Sequence, residues 1–431
     1  MSADVARIFI SIAAYRDPEL GPTIEDCLAK AHFPDRLRFG VCWQHGDNES
    51  PPPCFKIGHV QVIGVPWRES QGACWARAEI MKLWSGEDWY LQLDSHHRFA
   101  RDWDVKLLRQ AERSGSAKPL ITTYAPPYRP GQSGLVGGEP CRMEFDRFSE
   151  DGIPGFRPGH FAGWRRRAGP ARGRYVSAHF LFAPGSFVRD VPYDPDLYFT
   201  GEEITLAVRA FTHGYDLFEP SRVILLHEYT REGRRKHWDD HLKSNGVRLA
   251  WHQRDAPSRA KVQRLLCDPW VGRDGCGDLR SLRDYETYAG IDFGRRRIQD
   301  YTRQNLEPPN PPAGDGWAES TGMRRVHILL TTAVLPLAAI DDAQFWYVGF
   351  HSSDGTELYR NDADGQELGN LLAGRPTALT LTRTFESTAE PTTWTVIPYT
   401  RQGGWLEPIT GSIARDHAAL VERIGEPKSA T

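Results

Sequence analysis

The chain has 431 residues, 40 % of them hydrophobic and 11 % aromatic with 14 Trp, which is enough for two or three domains with at least one large core and favours packed structure over disorder. Lys plus Arg number 53 against 56 Asp plus Glu, and the resulting charge of -3 argues against nucleic acid or any other polyanion as a general partner, while leaving room for one local basic site. The 7 cysteines include no Cys-x-x-Cys pair, in a chain too large to need staples, and read as reduced core thiols.

Met1 leads directly into a strand-like segment, without a basic stretch followed by a long apolar one, and no segment reaches bilayer-spanning length. The expected setting is therefore the cytoplasm, with no membrane partner. The nearly continuous apolar run 7–14 predicts a strand buried on both faces of a parallel sheet. Tyr15, Arg16, Asp17 and Pro18 follow it. Pro18 suits the first turn of a helix whose core face is Ile24, Cys27, Leu28 and Ala31, at i, i+3, i+4 and i+7. The unit repeats with strands at 37–43 and 60–65 around the prolines 51–53, a helix over 71–84 and a strand over 89–93. Such alternation implies βαβ crossovers and an α/β sheet of the nucleotide-binding type.

Straight after that last strand comes Asp94-Ser95-His96-His97-Arg98. Residues two apart on a strand share a face, so Asp94 and His96 can bring a carboxylate and an imidazole to one point at a strand's carboxyl end, where open α/β sheets hold ligands. A hard carboxylate beside a borderline imidazole suits a first-row divalent ion such as Mn2+ that keeps positions free for phosphate oxygens. By itself, Asp-x-His more often marks a strand-end turn with solvated polar residues.

A helix over 102–113 and a strand over 120–123 come next. Residues 124–174 carry Gly, Pro and Arg without periodicity, and a loop of that length is usually an active-site cover or disordered. A strand over 175–182 precedes a helix that opens on Glu202 and Glu203 and has Ile204, Ala207, Val208 and Phe211 on its core face. A buried strand over 223–226 ends in His227, and helical, charged sequence fills 238–304. Pro308, Pro309, Pro311 and Pro312 mark 305–322 as a linker. Beyond it, alternating runs at 327–332, 345–350, 378–384 and 393–398, with turn signals at Asp354-Gly355 and Asp364-Gly365, predict a small β-sandwich over 323–431 with a last helix near 416–424. Its aromatics Trp346, Tyr347, Trp394 and Tyr399 are expected in the core.

Ser11-Ile12-Ala13-Ala14-Tyr15-Arg16-Asp17-Pro18-Glu19, then Trp75-Ala76-Arg77, Asp94-Ser95-His96-His97-Arg98-Phe99, Gly201-Glu202-Glu203, Thr212-His213-Gly214-Tyr215-Asp216 and His227-Glu228-Tyr229 resemble, in this order, the cytosolic GlcNAc-transferase family that modifies hydroxyproline on protein. That family has the GT-A fold and is related to the polypeptide GalNAc-transferases, whose Gly-Gly-Glu-Asn stretch looks like Gly201-Glu202-Glu203 with Glu203 in place of the Asn. The resemblance spans about residues 6–300. It implies a GT-A catalytic domain over 1–304, a UDP-sugar donor with UDP-GlcNAc first, and Mn2+ or another divalent metal held by Asp94, His96 and His227. It also implies transfer with retention to a hydroxyl of a peptide or protein.

In GT-A proteins the first strand-to-helix turn holds uridine, which implies nucleotide contacts for Tyr15, Arg16 and Asp17. Asp17-Pro18 is equally an ordinary helix N-cap. Arg77, one helix away from the diphosphate, is expected either to support it or to form an ion pair at the core edge. The resemblance gives Glu202 to the sugar hydroxyls and Glu203 to the acceptor side, although both also complement the helix dipole by about 0.3–1 kcal/mol each. Arg231, Arg234, Arg235 and Lys236 are expected to fold over the diphosphate. The basic stretch 164–174 reads as a solvated loop. Two other readings stay open on sequence: a GT-A transferase acting on a saccharide or small molecule, and a non-catalytic protein that binds a nucleotide sugar or glycan.

Overall fold

Strand β1 (Ile8–Tyr15) is apolar on both sides because both sides are covered, with Ile8, Phe9, Ile10 and Ile12 all buried. The computed structural model describes residues 6–131, 138–149, 151–230, 234–312, 317–318, 322–387, 389, 391–413 and 419–423. Following β1 are α1 (Leu20–Lys30), β2 (Leu37–His45), β3 (Val60–Pro66), α2 (Ala73–Met81), β4 (Trp89–Asp94), β5 (His97–Phe99), α3 (Trp103–Arg113) and β6 (Pro119–Thr122). Then come β7 (Cys141–Phe148), β8 (Pro154–His160), β9 (Ala171–Arg172), β10 (Phe180–Pro184), α4 (Phe187–Asp190), α5 (Glu202–Thr212), β11 (Asp216–Glu219), β12 (Leu225–His227), α6 (His237–Asp240), α7 (Trp251–Cys267) and α8 (Leu282–Ala289).

One 8-stranded mixed sheet has the order β3-β2-β1-β4-β10-β6-β11-β9, so the α/β expectation holds. Its first four strands are parallel, and β10 runs antiparallel between β4 and β6. Leu20, Ile24 and Cys27 of α1 and Trp103, Leu107 and Ala111 of α3 share a core with the strand residues Ile10, Ile12, Leu91 and Leu93. Each Leu and Ile among them contributes about 1.5–3 kcal/mol on burial. This packing fixes where β4 stops, and it stops at Asp94.

The structure departs from the sequence reading in several places. The strand expected over 223–226 is Leu225–His227, and it pairs with β5 in a separate two-stranded ribbon that sets His227 opposite His97. The main sheet instead takes β11, whose Leu217 and Phe218 are buried. The loop expected over 124–174 contains the paired strands β7 and β8, anchored where Glu219 accepts hydrogen bonds from Arg142 Nε at 2.5 Å and the Met143 N–H at 2.6 Å. β7 does carry a strand's alternation in Cys141, Met143 and Phe145, whereas β8, with Pro154, Gly155, Pro158 and Gly159, does not. Residues 175–179 are irregular and, apart from Ala178, buried, and the Ser177 N–H is satisfied by Thr122 Oγ1 rather than by a ladder.

Two compact units make up the chain: Met1–Arg147 with Ile153–Gly294 and Ile298–Trp317, and Ala318–Thr431 with Phe148–Gly152 and Arg295–Arg297. Part of the expected linker belongs to the first unit, because buried Asn310 accepts from Arg174 Nη2 at 2.6 Å through Oδ1. In the second unit, Gly322–Thr331 lies between Ala378–Ser387 and Ala419–Arg423, and Ala343–His351 lies between Glu357–Arg360 and Thr393–Thr400. The two sheets enclose Val326, Ile328, Trp346, Val348, Phe350, Trp394 and Val396. Tyr347 and Tyr399 fall on the alternate face and are only partly buried, so half of the four aromatics expected in the core lie outside it. Residues 419–423 form a strand where a helix was expected, since pairing with Arg324–Ile328 outweighs their helix propensity; 416–418 and 424 lie outside the described residues. No helix among the described residues is long and apolar enough to cross a membrane.

Candidate active site

Asp94 closes β4, His96 follows the bend, and His227 closes β12 across the ribbon from His97. Asp94 Oδ2 lies 3.4 Å from His227 Nε2 and 3.7 Å from His96 Nε2, and one ligand atom from each of the three residues fits within 4.8 Å of the others. His96 Nε2 is buried and makes no hydrogen bond. A buried ring nitrogen with that geometry costs free energy unless something accepts its lone pair, and a carboxylate with two imidazoles is a donor set for a first-row divalent ion. These residues therefore fit a metal.

Neighbouring side chains fix the three donors in place. Arg77 on α2 is 3 % exposed; its Nη2 donates to Asp94 Oδ1 at 2.6 Å and its Nη1 donates to Glu202 Oε1 in a short contact. Asp94 thus has one oxygen committed to Arg77 and turns the other toward the two histidines. His97 Nδ1 donates to the Asp94 carbonyl at 3.0 Å. His179, just before β10, stacks on His227 with ring centroids 4.1 Å apart, and its Nε2 accepts from the Ala125 N–H at 3.1 Å. Burial, followed by the nearby His227, holds both His97 and His179 well below the ordinary histidine range, so they pack as neutral rings.

The other expected residues have definite partners. Glu203 Oε2 accepts from the Tyr124 hydroxyl at 2.5 Å and Oε1 from the Ala178 N–H at 3.0 Å, and burial pushes its carboxyl up to about 7 despite these bonds. The Tyr15 hydroxyl and Arg16 Nη1 donate to Asp240 Oδ2 at 3.1 and 2.7 Å, and the Tyr15 ring packs on His237 at 3.9 Å. Asp17 accepts from His96 Nδ1 and from Arg234 Nη1, both at 2.7 Å, and Arg234 also pairs with buried Glu228. Arg235 is largely exposed, 3.9 Å from Asp240. Arg231 lies outside the described residues.

Residues 7–57 and 52–295 match the family model described as Glycosyltransferase (GlcNAc), which is more than half of the chain. The chain belongs to this GlcNAc glycosyltransferase family. No curated protein matches it. Among solved structures, the glycosyltransferase is similar to GalNAc-T7 with UDP, GalNAc and Mn2+, at 15 % identity and a TM-score of 0.40, over 54 % of this chain and 45 % of that one. It is also similar to S. aureus TarS 1-349, at 10 % identity and a TM-score of 0.35 over 52 % of this chain and 60 % of that one. The same TarS piece with UDP-GlcNAc gives 14 % identity and a TM-score of 0.34, over 53 % and 60 % of the two chains. The matched parts thus span less than two thirds of each of these structures.

Three residues that hold the candidate site together carried no signal in the sequence. His179 reaches His227 only because antiparallel β10 sits beside β4, with Phe180 opposite Leu93. Tyr124 was absorbed into an apparently featureless loop. Asp240 lay in a stretch read only as charged helix. Each acts through non-local pairing, which spacing along the chain does not encode.

Proposed function

We propose that this chain is a divalent-metal-dependent glycosyltransferase of the GT-A type, moving GlcNAc from UDP-GlcNAc to a hydroxyl of a peptide or protein, with hydroxyproline the first acceptor to try. The observation that carries the reading is the convergence of Asp94, His96 and His227 at the carboxyl end of β4, with His96 Nε2 buried and unbonded. Asp94 Oδ2, His96 Nε2 and His227 Nε2 are the atoms that would hold Mn2+. When bound, such an ion offsets the charge that develops on a departing diphosphate.

Around that point the protein's own groups orient and exclude. Arg77 holds one oxygen of Asp94 and leaves the other toward the histidines, and Arg234 adds positive charge where the first turn approaches. Glu202 is engaged by Arg77, and Glu203 by Tyr124 and Ala178. Neither carboxylate is offered as a nucleophile, so the retention that the family resemblance implies would proceed by front-face substitution without an enzyme ester. The setting that goes with this reading is the cytoplasm, where thiols stay reduced.

Thermal shift with a panel of UDP-sugars, with and without Mn2+, tests the donor and metal together. A ligand at 100 times its Kd adds about 2.7 kcal/mol to the folded state. UDP-GlcNAc should raise the midpoint only when Mn2+ is present, and more than UDP-glucose does. An unchanged midpoint with every UDP-sugar, or a shift produced by a free saccharide alone, contradicts the reading. Mass spectrometry of peptides incubated with labelled donor then identifies the acceptor.

A further inference from the structure

We propose that Asp17 is a positioning residue for the metal ligand His96, setting the imidazole tautomer that leaves Nε2 free for the ion, rather than a nucleotide contact. The inference rests on the metal reading above and concerns how the protein prepares that site. An imidazole ligates through an unprotonated nitrogen, so its single proton must sit on the other one. His96 Nδ1 donates to Asp17 Oδ2 at 2.7 Å, which leaves Nε2 bare on the side of Asp94 and His227. Both side chains are sealed, with Asp17 at 6 % and His96 at 3 % exposure, so water does not compete for the bond.

The carboxylate has no capacity left for another partner. A carboxylate offers about four lone-pair sites. Oδ2 of Asp17 takes His96 Nδ1 and the Ser95 hydroxyl, each at 2.7 Å, and Oδ1 takes the Glu19 N–H at 3.0 Å and Arg234 Nη1 at 2.7 Å. The chain topology explains the pairing: β1 and β4 are parallel neighbours with Ala13 beside Asp94, so the turn leaving β1 meets the residues leaving β4. Arg234 ties the same carboxylate to the segment that follows β12.

Isothermal titration of the full chain with Mn2+ alone tests this, using wild type, His96→Ala, Asp17→Ala and Asp17→Asn, together with the visible absorption of the Co2+ forms. Asp17→Ala should weaken Mn2+ binding roughly 10–100-fold and move the Co2+ bands. Asp17→Asn, which keeps shape and can still accept from Nδ1, should weaken it less, and it carries the test if the alanine variant does not fold. Wild-type affinity and unchanged Co2+ bands in both Asp17 variants, with binding lost in His96→Ala, would overturn this inference and leave the metal reading standing. A folded wild type that takes up no Mn2+ would overturn both.

Discussion

Arg77 stands between two carboxylates, and its guanidinium is the only cation bonded to both Asp94 and Glu202 among the described residues. Burial alone would lower its pKa, but Glu202, Tyr193 and Asp94 outweigh that and raise it well above the ordinary value. Removing one partner of a buried pair strands the other charge, at a cost of about 3–5 kcal/mol. Arg77→Met should therefore lower the unfolding free energy by that amount in a urea titration, and a loss under 1 kcal/mol would show that Asp94 and Glu202 do not depend on it. The pKa of Glu203 is raised too, here by burial, and for a carboxyl that favours the neutral form. With its carboxyl pushed from 4.5 up to about 7, the folded state holds the proton more tightly than the unfolded chain. Its contribution is favourable below about pH 4.5 and is lost as pH rises toward 7, by roughly 2 kcal/mol between pH 5 and 8 at 1.36 kcal/mol per unit. Glu203→Gln has no such slope, so unfolding at the two pH values should show the variant losing less stability than wild type; parallel losses would count against the assignment.

Helix α5 delivers Glu202 and Glu203 from a start that only glycine suits. Gly201 has φ +85, and a Cβ there would meet Val262 Cγ1 of α7 at 2.6 Å. A non-glycine residue in that region costs on the order of 1–3 kcal/mol before any clash. Gly201→Ala should accordingly lower the melting midpoint and, by shifting α5, reduce turnover; a midpoint equal to wild type would show that α5 can start elsewhere. How far elements could be read in advance follows from the range of the forces that make them. Buried β1 and β4 are legible as apolar runs, and Asp94 with His96 as a period of two at a strand end. His227 needed the family resemblance, because its approach depends on β5 pairing with β12 far along the chain. The β7–β8 pair reads as loop because β8 is rich in Pro and Gly, and the short alternation of Cys141, Met143 and Phe145 in β7 is isolated among loop signals.

The whole chain carries two separate cores, one around β1 and β4 and one around Trp346 and Trp394. All of the proposed chemistry belongs to the first, within residues 7–295 that match the glycosyltransferase family. Among the described residues, the metal-fitting cluster is made by the first unit alone. The central claim is that Asp94, His96 and His227 hold an ion needed to break the bond between sugar and diphosphate. The most direct measurement is UDP release from UDP-GlcNAc by the full chain across a Mn2+ titration, for wild type, Asp94→Ala and His227→Ala, each checked by circular dichroism. Release should rise with Mn2+ in wild type, fall to background in EDTA and stay at background in both variants. Full release by the folded variants, or by wild type in EDTA, would contradict the account.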